Sequence, residues 1–323
     1  MAFFVLSGLI IAEALESFYR QRAWAFLTNR FLRIVPTYAV ALALSIGIHA
    51  YLSSTQTLTF LPGDYKEYPV GMFSFQNIGA NLLMIFSWEQ LPIIGAFFKQ
   101  TYYFVRYVWA VSVEVHFYIV VVFLYSFWWG LQQLNGKYGS ANVGKYIGRL
   151  TFIIGVLTCL FLALRWKEGV GILWSFSFSA YFVLGVSLYY SLKTRSKWAI
   201  VAAIASYLLS SFHLWNYLGN THHTIVAVVM FSVIILSVVI LFSATIPTAY
   251  EKVDKSLGDL SYPFYLNHYV WTVFAWNTMP KGSMSLFWGV ILGAILFSWA
   301  ASKLSEPLVS SLRDKVRGTR LRI

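Results

Sequence analysis

Ten runs of mainly apolar residues follow one another along this chain, at 3–16, 34–52, 76–95, 107–129, 148–164, 170–192, 198–214, 224–246, 262–280 and 284–302. A helix that crosses the hydrocarbon core of a bilayer needs about 20 such residues. The runs are continuous rather than alternating, which argues against the two-residue period of a membrane β-barrel. The chain therefore reads as all-α, a polytopic integral membrane helical bundle of about 9–10 transmembrane helices. Its 323 residues are 59% hydrophobic and 11% charged, with a mean hydropathy of +0.66, too little charge to cover a soluble surface of this size. No soluble domain, linker, repeat or low-complexity tract interrupts the runs, so residues 1–323 are expected to form a single domain.

The basic residues sort these spans. Arg20, Arg22, Arg30 and Arg33 place 17–33 in the cytoplasm, and the tail with Arg313, Lys315, Arg317, Arg320 and Arg322 belongs there too. Nine runs lie between these segments, and an odd number cannot return a chain to the side it left. The run at 76–95 is interrupted by Asn77, Asn81, Glu89, Gln90 and Pro92, so it is expected to be re-entrant or to lie on the membrane. Then 18 of the 24 Lys and Arg residues are cytoplasmic, in 17–33, 130–149, 193–197, 247–258 and the tail. Such sorting explains the net charge of +12 without nucleic acid, for which no soluble basic module is present. The one cysteine, Cys159, excludes an internal disulfide and a multi-cysteine zinc site.

An ionisable group inside a span costs about 2.5–3.5 kcal/mol on insertion scales, so each asks for a reason. Arg30 and Arg33 stand one helical turn apart at the cytoplasmic mouth of a span. Two guanidinium forks there could hold phosphates, or simply anchor the helix by snorkelling. In YVWAVSVEVHFY (107–118), Glu114 and Tyr118 are four residues apart, and Trp109, Ser112 and His116 form a neighbouring stripe. A carboxylate and an imidazole here could serve as acid and base, or could fix packing by interhelical hydrogen bonds. In SYPFYLNHYVW (261–271) and the residue after it, Ser261, Tyr265, His268 and Thr272 fall along one helix face. That row suits the wall of a cavity; the alternative is again interhelical hydrogen bonding. Ser298, Ser302 and Ser305 follow at near-helical spacing, and Glu306-Pro307 closes the last span. No phosphate-binding glycine loop, G-x-S-x-G or helical metal motif is present, and His222-His223 has no partner ligands nearby in sequence.

Four segments in order, FFVLSGLII (3–11), RFLRIVP (30–36), WAVSVEVHFY (109–118) and LGDLSYPFYLNHY (257–269), resemble the membrane acyltransferase-3 family, O-acyltransferases of bacterial polysaccharides and glycans. KLSEPL (303–308) is similar to the family's closing segment. The resemblance implies a multi-pass protein of the bacterial inner (cytoplasmic) membrane. It implies an acyl-coenzyme A donor on the cytoplasmic side, an acyl group that is acetyl in the family, and a polysaccharide or lipid-linked sugar as acceptor. No permanently bound cofactor is implied; the partners are acyl-coenzyme A, the glycan acceptor and membrane lipid. Arg30 and Arg33 match the family's paired arginines near the acyl-coenzyme A site. Trp109, Glu114 and Tyr118 match its Trp–Glu–Phe-Tyr segment, and Tyr265 and His268 match the segment lining its active cavity. Family members usually carry an earlier first span with a basic residue and a catalytic His, and relative to them this sequence is expected to be truncated.

Within these residues the expected catalytic set is His268, Glu114 and Tyr265. His268 or His116 would act as base with Glu114 orienting it. Tyr265, Ser261 or Trp109 would stabilise the oxyanion by residue type. Ser112, His116, Tyr118, Ser261 and Glu306 complete the expected cavity. A transporter or flippase of a lipid-linked sugar is the rival reading, although the internal repeat such a fold predicts is absent from the sequence. A structural or regulatory membrane protein is a third.

Overall fold

A computed structural model describes residues 1–19, 22–59, 71–84, 102–134, 178–195, 197–218, 222–243 and 250–317. The apolar run at 148–164, residues 85–95 of the run at 76–95, and residues 170–177 of the next lie outside the described residues. Every regular element among the described residues is helical. The helices are α1 (Ala2–Glu13), α2 (Ala23–Ser54), α3 (Phe75–Leu82), α4 (Val108–Leu134), α5 (Ser179–Thr194), α6 (Lys197–Leu218), α7 (His222–Ser243), α8 (Glu251–Thr278) and α9 (Met284–Arg317). Four described stretches are long and apolar enough to cross a membrane: Ala23–Ser54, Lys197–Trp215, Thr224–Ser243 and Met284–Glu306. The chain folds as two compact units, Met1–Leu27 with Val113–Thr245, and Thr28–Ser112 with Ile246–Ile323.

In the first unit, α1 and α5 approach until their backbones touch. A Cβ on Gly8 would collide with the carbonyl of Phe182, and one on Gly185 with the carbonyl of Val5. Glycine at both positions lets the helices pack by close backbone contact, which is how helices associate where no hydrophobic drive separates them from lipid. Phe4 packs on Phe178 and Phe182, at ring-centroid distances of 5.4 and 5.0 Å, and Phe117 stacks on Phe182 at 4.1 Å. Leu9, Ala12, Tyr189, Tyr190 and Ala199 continue the core towards α6. Beyond α1 the helix widens into a π turn over Ala14–Phe18 that carries Glu16. Glu16 pairs with Lys193 at 3.2 Å, and Lys193 donates to the Tyr189 hydroxyl at 2.9 Å. The Tyr189 hydrogen bond, aided by Glu16, holds the Lys193 ammonium above its ordinary pKa. Most of α7 presents Ile225, Val226, Val229, Met230, Val233, Leu236 and Leu241 outward, the surface expected of a lipid-facing span.

In the second unit, α2 and α8 run the same way between two ends, and α9 runs back. At one end the Arg33 guanidinium donates to the Gly258 carbonyl at 3.0 Å, and Arg313 Nε reaches Asn29 Oδ1 at 3.4 Å. At the other, the Asn277 carboxamide accepts from the backbone N–H and hydroxyl of Thr59, at 2.6 and 2.7 Å. Residues 29–33 and the basic stretch around Arg313 thus share one end. α8 and α9 lock where the Trp271 indole donates to the Gly289 carbonyl at 2.9 Å; a Cβ on Gly293 would strike that indole.

The run at 76–95 does not continue as a helix through its described part: α3 stops at Leu82, and Met84 takes a left-handed φ of 52°. Asn77 and Asn81 explain the interruption. They stand one turn apart and pair with the backbone of the non-helical segment 102–104. Asn77 accepts from the Tyr102 N–H at 2.8 Å and donates to the Tyr102 carbonyl at 3.2 Å and the Met72 carbonyl at 2.7 Å. Asn81 donates to the Tyr102 carbonyl at 2.9 Å and accepts from the Phe104 N–H at 3.2 Å. Beneath them the Tyr102 hydroxyl meets His49 Nε2 at 2.9 Å, and Tyr38 donates to the Asn81 carbonyl at 2.8 Å. Non-helical backbone at membrane depth survives only when its polar groups are satisfied in this way.

Candidate functional site

Glu114 lies buried in α4, and two hydroxyls close on it. Ser7 and Tyr118 both donate to its Oε1, and Ser7 Oγ lies 3.4 Å from the Tyr118 hydroxyl. The three side chains are 6%, 5% and 3% exposed for Ser7, Glu114 and Tyr118. A carboxylate deep in an apolar bundle is tolerable when such donors replace water. Tyr118 is four residues on along α4 and is held edge-on by Phe26 at 5.7 Å. Ser7 arrives from α1, where the adjacent Gly8 brings the backbone against α5. Glu114 and Tyr118 were singled out by sequence; Ser7 was not, although it stands in the serine–glycine segment that carried part of the resemblance. His116, half-buried, lies on the same helix.

In the second unit a different cluster forms around Tyr107. The His268 imidazole stacks on the Tyr107 ring with centroids 5.2 Å apart and planes at 14°. Phe264, one turn before, stacks on His268 at 5.8 Å. Tyr265 donates its hydroxyl hydrogen to the Tyr107 carbonyl at 3.1 Å. The sequence reading brings Tyr265 and His268 together but does not find Tyr107, an ordinary aromatic at the end of an apolar run. His268 Nδ1 lies 3.1 Å from the Phe264 carbonyl. A carbonyl only accepts, so Nδ1 carries the proton and Nε2 carries the lone pair. The His268 residue is half-buried. Trp109, half-buried, and Ser112, buried, follow Tyr107 along α4.

The other histidine of this unit behaves differently. His49 is fully buried, its Nδ1 donates to the Ser45 carbonyl at 2.8 Å, and its Nε2 accepts from Tyr102. Both nitrogens are consumed by the fold, which marks it as structural.

The remaining expected residues are placed as follows. Arg33 is half-buried and held on the Gly258 carbonyl, and Arg30 is half-buried one turn before it. Ser261 is exposed and returns its proton to the Gly258 carbonyl at 2.7 Å; Thr272 does the same to the His268 carbonyl at 2.6 Å. The four-residue stripe of α8 therefore contributes two side chains, Tyr265 and His268, to the Tyr107 cluster, while Ser261 and Thr272 bond their own helix. Glu306 is 61% exposed and pairs with Lys303 at 3.4 Å on the surface of α9. Among the described residues no group of three or more His, Cys, Asp or Glu side chains could hold a metal ion.

A lone-pair-bearing imidazole, a neighbouring phenol and a pair of arginines at one end of a helical unit form a set suited to proton removal and anion binding. A family model described as an acyltransferase domain matches residues 1–303, which takes in every candidate site residue placed above except Glu306. No curated protein and no solved structure matches the chain.

Proposed function

The chain belongs to the membrane acyltransferase-3 family, and on that premise we propose that it moves an acetyl group from cytoplasmic acetyl-coenzyme A to a hydroxyl of a cell-surface or exported glycan. The observation that carries this reading is the family match over residues 1–303. The proposed site is the bacterial cytoplasmic membrane.

The chemistry asks for few parts. A base takes the proton of the acceptor hydroxyl, the oxygen attacks the thioester carbonyl, and the tetrahedral oxyanion collapses to expel the thiolate. His268 suits the base, because its Nδ1 hydrogen bond leaves the lone pair on Nε2. Tyr265, Trp109 and Ser261 are donor types for the oxyanion. Of these, Tyr265 and Ser261 would have to turn from the carbonyls they now bond. Arg30 and Arg33 suit the donor's phosphates, which a guanidinium grips bidentately. Glu114, fastened by Ser7 and Tyr118, fixes α1 against α4 and keeps its charge out of lipid.

Membranes carrying the chain, incubated with acetyl-labelled acetyl-coenzyme A, should gain label in the glycan fraction as an ester released by mild alkali. A flippase would leave the label in coenzyme A. Label no greater than in membranes lacking the chain would contradict the reading.

A further inference from the structure

At the end of the second unit opposite the arginines lies a cleft of about 460 Å³ that the roles above leave unused. Arg30 and Ser53 are separated by about 35 Å of α2, at about 1.5 Å per residue. That exceeds the roughly 30 Å of hydrocarbon in a bilayer, so the cleft opens at or beyond the far headgroup layer. Ser53, Gln56 and Ser74 supply hydroxyls and an amide, Phe73 and Leu58 supply apolar faces, and the described residues that line it carry no charge.

The cleft is built rather than incidental. Gln56 follows the end of α2 with φ 54°, a left-handed conformation that favours glycine and that a glutamine adopts at a cost. Its side chain is exposed and lines the cleft. Gly71, with φ 84°, makes the turn on the other side. The floor is rigid: Asn77 holds the Met72 carbonyl at 2.7 Å, in the same buried network that pins Tyr102. Ser74 accepts from the Asn77 N–H at 3.2 Å, which leaves its hydroxyl hydrogen to donate outward. Neutral hydroxyl and amide groups beside an aromatic face are the chemistry that recognises a sugar ring: C–H faces lie on the aromatic, and hydroxyls exchange hydrogen bonds with the rim.

We propose that this cleft is a docking subsite for the carbohydrate acceptor, with a neutral sugar ring on Phe73 and its hydroxyls on Ser53, Gln56 and Ser74. The proposal rests on the acyltransferase reading and adds where the acceptor is gripped. The neutrality of the described lining residues favours an uncharged residue of the glycan over a phosphate or uronate.

The test uses the full chain in lipid nanodiscs and two probes. One is end-labelled oligosaccharide from mild-alkali-treated cell-envelope glycan of the organism that encodes the chain, followed by fluorescence anisotropy. The other is coenzyme A. Wild type should bind both. Phe73→Ala and the cleft-blocking Ser53→Trp should weaken oligosaccharide binding at least tenfold and leave coenzyme A binding unchanged. Phe75→Ala, at a residue 90% exposed just outside the cleft, should bind both probes like wild type. Oligosaccharide binding unchanged in Phe73→Ala and Ser53→Trp would overturn the subsite while leaving the acyltransferase reading intact. So would an equal loss in Phe75→Ala, which would make these aromatics headgroup anchors. Wild type that binds neither probe would overturn the acyltransferase reading, and this inference with it.

Discussion

The hydroxyl of Ser7 donates to the carboxylate of Glu114 across 107 residues of sequence, and the bond joins α1 to α4 inside the first unit. Removing the donor leaves a buried carboxylate with one partner fewer. A hydrogen bond between spans is worth about 0.6–1.7 kcal/mol in measured cases, and an unsatisfied buried group costs about 1–3 kcal/mol. Ser7→Ala should therefore lower the thermal melting point of the detergent-solubilised chain, by an amount equivalent to about 1–2 kcal/mol. Ser7→Thr, which keeps the hydroxyl, should lose less. Equal melting of Ser7→Ala and wild type would show that the bond does not hold the helices.

Gly8 and Gly185 set the distance between α1 and α5. Gly8→Ala and Gly185→Ala place a methyl group against backbone, which cannot rotate away. Overpacking of this kind costs about 1–3 kcal/mol. Gly47→Ala, at a helical position with open space around it, should be neutral or slightly stabilising, since alanine is the better helix former by roughly 1 kcal/mol. Folded yield by fluorescence size-exclusion ranks the three; a Gly47→Ala loss as large as that of Gly8→Ala would contradict the packing account.

How much of this was legible in sequence depends on the residue. Run lengths and loop charge were enough for a helical membrane bundle, because lipid leaves the backbone few other solutions. Asn77 and Asn81 read only as interruptions of a span. Their partners, Tyr102 and Phe104, are more than 20 residues on, and no local pattern announces that two carboxamides will pair with the backbone of a non-helical segment. The α8 stripe was half legible. Its helical face is real, but a hydroxyl in a helix can return its proton to the carbonyl three or four residues back, as Ser261, Thr272, Ser237 and Ser243 do. Hydroxyl spacing alone therefore says little about a cavity. Phenol and imidazole have a longer reach, and those two are the residues that meet Tyr107. Gly8 was visible only as part of a motif, since the close approach it permits is a property of the partner helix.

Asn77→Leu and Asn81→Leu each leave backbone groups of 102–104 unpaired and buried. At about 1–3 kcal/mol per group, either change should sharply reduce folded protein. The exposed Thr55→Val, where the hydroxyl bonds only its own turn, should cost under about 0.5 kcal/mol. Amide hydrogen exchange gives a second readout: the Tyr102 and Phe104 N–H groups should be protected in wild type. Their rapid exchange would contradict the clasp.

Arg30→Lys and Arg33→Lys keep the charge and lose the planar fork. If the pair grips donor phosphates, coenzyme A binding should weaken about tenfold or more in each variant, while dephospho-pantetheine binding changes little. If the arginines only anchor the span, both variants should bind coenzyme A like wild type.

The acyltransferase account turns most directly on His268. His268→Ala removes the base together with its ring's stack on Tyr107, while the Tyr265 hydrogen bond to the Tyr107 carbonyl remains to hold α8 there. Asn267, the next residue, is the structural counterpart: it is fully buried and donates to the Pro263 carbonyl at 2.9 Å. The measurement is acetyl transferred to glycan per folded molecule, with melting temperature recorded alongside. The account predicts that His268→Ala lowers specific activity by about 10²–10⁴-fold at near-normal melting, the contribution typical of a general base. Asn267→Ala should lower melting but retain specific activity in the molecules that fold. Wild-type specific activity in His268→Ala would contradict the account.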